Sequence, residues 1–516
     1  MEFNAPSEIV KDLNFGGEAK SKIMSGVDKL NKAVSSTLGA SGKCVIYEDG
    51  LGRPIVTKDG VTVANSVVLL DPTENIGATL IKEAAQKTVK EAGDGTTTST
   101  VLAHSILKNY FESDLSNLRG VKSGISKATD KVIKYLDKIS IPVEGEMLKH
   151  VANISTNNDN VLGGIIAEAY NEVGKDGVVL MEESEDDSTY IEVVDGVKFD
   201  SGLKSPHLVT DKEKGKSVLD NPLVLITDSE IDSIRKIQNV LEYAIKNKRS
   251  ILIIGNVSPQ PMSALIMNKA KGNIKVNVVD SPGFSTLTRD MLDDLAAVTG
   301  AKVVSEDLGD DLDLIDESFL GQAIKSVTDD KDTVITTENI NEATKGRIET
   351  IEKQIKEEKN PYLLKKLNDR KAMLSGAVGV VYVGANSKVE LKEKKDRVED
   401  AIYAVKAALK EGIVPGAGVA LLNASTSITP KCPGEKLLLQ AITSPFRTIL
   451  ENGGITPPND INKGRGVDVI TGKVVKMLSA GIIDPVLVTK TALKNAASVA
   501  STIMSADCVI SNVREQ

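Results

Sequence analysis

The chain has no tryptophan, and aromatic residues make up only 3% of its 516 positions. Its cores must therefore be built from Val, Ile, Leu and Ala. Cysteine is scarce too: Cys44, Cys432 and Cys508 lie far apart with no C-x-x-C spacing, which argues against a disulfide framework or a cysteine zinc cluster. Small buried thiols in a reducing compartment are the expectation. The three histidines, His104, His150 and His207, share no ligand spacing. No apolar run approaches the roughly 18 residues that a membrane helix needs. The first residues, Met1 to Asn14, lack the apolar stretch of a signal peptide, so a cytoplasmic setting is expected. Basic residues are outnumbered, 63 Lys and Arg against 72 Asp and Glu, for a net charge of −9. That balance argues against nucleic acid as the main partner, because phosphate contact requires a basic surface.

What is present fits a soluble globular protein: 41% hydrophobic and 26% charged residues. At 516 residues, two or three domains are expected. Ile23, Val27, Leu30, Val34 and Leu38 recur at helical spacing and predict a helix over 15–39, stopped at Gly39. Residues 44–47 and 54–57 read as short strands. Helices are expected over 75–91 and almost without interruption over 101–137. After Ile141-Pro142-Val143 the pattern predicts a helix over 161–173 and a strand over 177–180. Near Gly196 the character changes. Three branched apolar runs, 223–226, 251–254 and 276–279, alternate with helical patterns at 231–247 and 259–271, which argues a parallel α/β unit. Residues 341–374 are strongly charged and read as a helical hairpin with solvated outer faces, broken at Pro361. From 398 onward the chain is again helical and Ala-rich, like its first 137 residues. The ends share one character and the middle another, which suggests a discontinuous first domain with the middle inserted.

One stretch carries a chemical signal. Gly93-Asp94-Gly95 leads into Thr96-Thr97-Thr98-Ser99-Thr100, and an apolar-periodic helix follows at once. A Gly-rich turn feeding a helix presents unpaired N–H groups and the positive end of the helix dipole. Threonine hydroxyls add donors, and Asp94 adds a carboxylate of the kind that ligates Mg²⁺. These are the parts of a magnesium–phosphate site. The plainer reading is an ordinary helix start capped by Asp94 or a threonine. No Walker A motif is present, because Gly39-Ala40-Ser41-Gly42-Lys43 lacks the spacing and ends in Cys44.

The stretch AGDGTTTSTVLA resembles the nucleotide loop of the chaperonins. TLGASGK (Thr37 to Lys43), VTKDGVTVANSV (Val56 to Val67), KEKKDRVEDAIYAV (Lys392 to Val405) and GIVPGAGVAL (Gly412 to Leu421) continue the resemblance in order, and it is strongest to the bacterial-type, group I proteins of the GroEL family. The resemblance implies a mostly helical and α/β, GroEL-like fold with three domains. The equatorial domain would comprise 1–138 and 411–516, the intermediate domain 139–194 and 377–410, and the apical domain 195–376, with hinges near Gly196 and Gly376. It implies an ATPase using ATP, Mg²⁺ and K⁺. Thr37, Leu38, Gly39, Lys58, Asp94, Gly95, Thr96, Thr97 and Thr98 would hold phosphates, and Asp94 would ligate Mg²⁺. Asp59 and Asp400 would be catalytic, Asp400 by orienting the attacking water. Ile154, Ser155, Gly416, Ala417, Asp468, Ile482 and Asp484 would surround the nucleoside. Asp400 alone reads as a surface carboxylate in a charge run; the resemblance gives it the catalytic role.

The resemblance further implies a client surface of Leu203, Leu208, Leu241, Met262, Ile266 and Met267. Met262, Ile266 and Met267 fall at i, i+4 and i+5 on one predicted helix and should share a face, where exposed aliphatic groups would bind unfolded polypeptides. Taken alone, such a stripe more often packs on the core. Gln238 and His207 make this groove more polar than is usual in the family. The implied partners are unfolded polypeptides, further copies of the chain in a seven-membered single or double ring, and a small co-chaperonin. Two other readings remain open: an ATP-independent holdase with a drifted nucleotide site, suggested by Ala417 and Val467, and a group II-like chaperonin.

Overall fold

The computed structural model describes residues 10–143, 145–156, 159–174, 177–184, 186–212, 215–283, 286–337, 342–358, 360–374, 377–458 and 463–513. The chain forms two compact units. One comprises residues 1–168, 183–190 and 383–516, and the other 169–182 and 191–382. The discontinuity expected from the two kinds of sequence is therefore present.

The first unit is helical. Its core joins residues from both ends of the chain: Ile23, Val27 and Leu30 pack in one cluster with Leu102, Ile106, Leu438, Leu493 and Ala496. The helix Gly16–Ser35 turns Ala19, Ile23, Val27, Leu30 and Val34 inward, as its periodicity predicts. Asp71 caps the helix Pro72–Ala92 by accepting from the Thr73 and Glu74 N–H groups. The continuous helix expected over 101–137 is in fact two, Thr96–Phe111 and Leu118–Ile139. Ser113 and Asn117 account for the break, because their side chains bond to nearby backbone and offer it an alternative to the helix. The strands Lys11–Phe15 and Cys508–Asn512 pair antiparallel, and Val45–Glu48 and Pro54–Thr57 form a hairpin.

The second unit holds two sheets. In one, the strands Val303–Val304, Leu223–Thr227, Ile251–Ile254 and Val276–Val279 lie parallel in that spatial order, with Gly321–Gln322 antiparallel against Leu223–Thr227. All residues of the strands at 223–227, 251–254 and 276–279 are buried. This is what a parallel sheet covered on both faces requires. Helical structure at 231–247 is shorter than expected, a 3₁₀ turn at Ile234–Ile237 followed by the α-helix Gln238–Lys246. The second, six-stranded sheet contains Tyr190–Phe199 at its centre. Gly196, expected as a hinge, lies inside that strand and pairs with Thr336; Gly376 lies outside the described residues.

The charged hairpin is present as Glu342–Glu357 and Pro361–Leu374, but it is less solvated than its composition predicts. Arg370, 6% exposed, donates from Nε and Nη2 to the two oxygens of Asp294 at 2.7 and 3.1 Å. Arg347 Nε donates to the same carboxylate at 2.8 Å. Asp294 is fully buried. Its two guanidinium partners tie both hairpin helices to the helix Thr286–Thr299.

Candidate functional site

Four segments of the first unit converge on the threonine stretch. The helix Pro72–Ala92 ends at Gly93 with φ +77°. A Cβ there would sit 2.4 Å from Tyr403 Cβ, so only glycine permits this approach of the helix Lys388–Glu411. Asp400 lies one turn before Tyr403 on that helix. The next helix starts at Thr96. Its cap is Gly95 at φ +97°, with no side-chain hydrogen bond to the cap. Neither Asp94 nor a threonine serves as the helix cap, contrary to the plainer reading. The Asp94 carboxylate instead accepts from the Gly95 N–H. Thr96, Ser99 and Thr100 are buried, whereas Thr97 and Thr98 remain partly accessible. The helix thus offers its first N–H groups and two hydroxyls to an anion.

The Thr37 loop comes from the end of the helix Gly16–Ser35. Thr37 Oγ1 donates to Val34 O at 2.8 Å and lies 3.5 Å from Thr97 Oγ1. Two residues absent from the sequence reading hold this loop. Asn452 Nδ2 donates to Ser35 O at 2.8 Å and Leu38 O at 2.9 Å, and Ile449 packs against Gly39. They lie some four hundred positions from the loop, and nothing local in the sequence signals them.

Asp59 has a structural duty beside any catalytic one. It caps the short helix Gly60–Ser66, accepting from Val61 N at 3.1 Å, Thr62 N at 2.7 Å and Thr62 Oγ1 at 2.6 Å. The S/T/D/N signature of an N-cap ahead of an apolar run could have revealed this. Gly60 brings that turn against the threonine stretch, since a Cβ on it would lie 2.3 Å from Thr97 Oγ1. Lys58 immediately precedes the cap and is partly accessible.

The Gly416-Ala417-Gly418 turn follows the strand Ile413–Pro415, which pairs with Ile483–Pro485 so that Val414 faces Asp484. The backbone N–H groups of Gly418 and Ala417 favour the charged form of the Asp484 carboxyl. Gly416 N donates to Ile482 O at 3.0 Å. Ala417 adopts φ +52°, the left-handed region in which a side chain is strained. Ile154 and Ser155 end the helix Glu146–Ser155, which packs on Lys388–Glu411 and on Ile483–Pro485. Asp468 lies apart from these contacts, in a hairpin turn. Its carboxylate accepts from Ile470 N at 3.0 Å and Thr471 Oγ1 at 2.7 Å. Val467 is buried beneath, with Val419 and Phe446.

Electrostatics set this cleft apart. Burial pushes the Asp400 carboxyl well above the usual carboxylate range, and Asp94, Asp59, Glu399 and Asp396 push it further. Burial also raises Asp94, with Asp59 adding and the Gly95 N–H opposing. Asp484 is pushed up to about 7 by burial and by Asp94, against the pull of the Gly418 and Ala417 N–H groups. Carboxylates gathered in this way repel one another, and a cation relieves the repulsion. Among the described residues no three His, Cys, Asp or Glu side chains form a protein-only metal cage.

The residues expected to bind clients are less exposed than the sequence suggests. Leu208 (0%), Leu241 (8%) and Met262 (9%) belong to the core of the second unit. Leu203 and Ile266 pack partly against it. Of the six, only Met267, at 56%, is exposed. Met262 and Met267, expected on a common exposed face, therefore point differently, because the parallel sheet takes Met262 as cover for its own face.

Residues 30–514 match the model of the TCP-1/cpn60 chaperonin family. Among solved structures, the chain resembles the chaperonin gp146 from the bacteriophage EL 2 (Pseudomonas aeruginosa), crystallised in the presence of ATP-BeFx. Against crystal form II the TM-score is 0.70 at 22% identity, covering 98% of this chain and 99% of that one. Against crystal form I it is 0.65, with the same identity and coverage. The chain belongs to the TCP-1/cpn60 chaperonin family.

Proposed function

We propose that this chain is an ATP-driven chaperonin of the GroEL type, which captures non-native polypeptides and couples their release to nucleotide hydrolysis. The observation that carries the reading is the uncapped helix start at Thr96 facing Thr37, with Asp59, Asp94 and Asp400 close enough to repel one another. Phosphoryl transfer needs charge neutralisation and an oriented water, and little covalent chemistry from the protein. Asp94 would hold Mg²⁺, which neutralises phosphate charge when bound and is commonly held by one or two carboxylates together with phosphate oxygens. Thr37, Leu38, Gly39, Thr97 and Thr98 would seat the phosphates beside Lys58, with K⁺ held by the backbone around Thr37, Lys58 and Thr97. Asp400, raised above its ordinary pKa, is suited to orient the attacking water and take its proton. Asp484 and the Gly416 turn would meet the ribose; Ile154, Ser155 and Ile482 would line the same side, with Asp468 further out.

The three-domain division belongs to the same proposal, with residues 139–194 and 377–410 swinging Asp400 toward the phosphates. So does self-assembly into a ring of seven. Two small ribbons support it. Leu13, Phe15 and Ile510 are 50–60% exposed on one; Ile46 and Val56 on the other, with Leu51 in its turn, are 48–78% exposed. Exposed apolar strands with free edges invite pairing with another copy.

The test is phosphate release by purified full-length protein in Mg²⁺-ATP, with and without an unfolded client, beside Asp94→Ala. Wild type should hydrolyse ATP and suppress client aggregation, and Asp94→Ala should retain only the second. A silent wild type that still holds the client would favour the holdase reading, and hydrolysis without any effect on the client would overturn the chaperonin cycle.

A further inference from the structure

The second unit has a surface that the expected client groove does not include. Seven of the twelve residues from 306 to 317 are acidic and none is basic. The segment folds as successive 3₁₀ turns at Glu306–Leu308, Leu312–Leu314 and Glu317–Phe319. Leu312 (0%) and Ile315 (1%) anchor it in the core beside Ile237 and Val240. Leu308 and Leu314 face the other way. They are 72% and 76% exposed, the most exposed large apolar side chains described in this unit. Asp307, Asp311, Asp313 and Glu317 are exposed around them.

Nearby cations cover little of this charge. Lys236 pairs with Glu306 at 3.1 Å but is shared with Asp232 at 3.3 Å. Lys302 lies 5.3 Å from the centre of the Phe319 ring. Asp310, Asp311 and Asp316 accept local backbone N–H groups, from Ser305, Asp313 and Ser318, and Ser318, helped by Lys302, holds Asp316 below the usual carboxylate range. The strip is therefore rigidly anchored, apolar at two points and negative between them. A partner that satisfies both features carries lysine or arginine next to leucine-like side chains.

We infer that the strip from Glu306 to Glu317 docks basic, apolar stretches of non-native polypeptides, with Leu308 and Leu314 covered by apolar groups and the surrounding carboxylates paired with lysine or arginine. The inference rests on the client-capture reading and gives it a chemical class. It also gives client binding exposed residues in a unit where Leu208, Leu241 and Met262 are buried.

The test uses the full-length protein and two fluorescent peptides of equal length and apolar content, one flanked by lysines and the other by glutamates. Fluorescence anisotropy should show the lysine peptide binding about tenfold tighter, with the preference falling steeply as salt is raised. A D307N/D311N/D313N variant should lose the preference, and an L308S/L314S variant should bind the lysine peptide several-fold more weakly. Unchanged melting temperatures and ATP hydrolysis would show that both variants fold. Equal binding of the two peptides, or a preference that survives the triple substitution, overturns the inference while leaving client capture intact. Failure to hold any unfolded client overturns the capture reading itself and this inference with it.

Discussion

Each unit gathers carboxylates away from bulk water, and the two do so in opposite ways. In the second, Asp294 is fully enclosed and receives two guanidinium groups, those of Arg347 and Arg370. In the first, Asp94, Asp400 and Asp484 are raised above their ordinary pKa values by burial and by other carboxylates, and no cationic side chain is among the causes. A buried charge with its partners in place belongs to the architecture. A partly buried carboxylate cluster that lacks them is costly, and a bound positive charge would relieve that cost. The contrast separates a structural clamp from a candidate site more cleanly than sequence spacing does, since Asp400 and the clamp's Arg347 and Arg370 all lie on charge-rich helices.

The sharpest way to break the contrast is to make the clamp resemble the site. Arg370→Ala would leave Asp294 under-compensated and should destabilise the protein by about 3–5 kcal/mol in denaturant unfolding. Replacing Asp294, Arg347 and Arg370 together by Leu, Met and Met should recover most of that loss. The converse change relaxes the site. The folded chain holds the Asp484 proton to about pH 7, against an ordinary 3.8. The stability linked to this group is complete below pH 3.8 and is lost as pH rises through 7. One pKa unit corresponds to about 1.4 kcal/mol, and access of water to the cleft discounts the sum. Asp484→Asn should accordingly raise nucleotide-free stability by about 1–2 kcal/mol at pH 8 and by almost nothing at pH 4; thermal melts at the two pH values check it.

Two smaller effects refine the picture. Asn452→Ala removes two hydrogen bonds to the Thr37 loop, each worth about 1 kcal/mol. ATP affinity, measured by calorimetry, should fall by roughly tenfold. Ala417→Gly relieves the left-handed backbone but loosens the unfolded chain. The net gain in stability should stay below about 1 kcal/mol, visible as a small rise in melting temperature.

Much of the fold was legible because helical periodicity, caps and branched apolar runs are local signals. The helices around Ile23, the three parallel strands and the discontinuous first domain all follow from them. The threonine stretch was legible for the same reason: its glycines, carboxylate and hydroxyls are contiguous. The missing parts depend on distant neighbours. Asn452 and Ile449 reach the Thr37 loop only after folding. Met262 and Leu241 carry the same apolar signal whether they face solvent or the sheet. Arg347 and Arg370 sit in a charge run that looks solvated until Asp294 is placed opposite them. Periodicity tells which residues share a helix face; it does not tell what that face meets.

The central claim is that the first unit's carboxylate cluster is arranged for a magnesium nucleotide at the expense of the empty protein. Asp400→Asn tests it with two readings from one sample: phosphate release from Mg²⁺-ATP and the melting temperature without nucleotide. The account predicts that hydrolysis falls by about 100-fold or more, that Mg²⁺-ATP still raises the melting temperature, and that the nucleotide-free variant melts above wild type. Hydrolysis at the wild-type rate, or a nucleotide-free variant that melts lower, would contradict it.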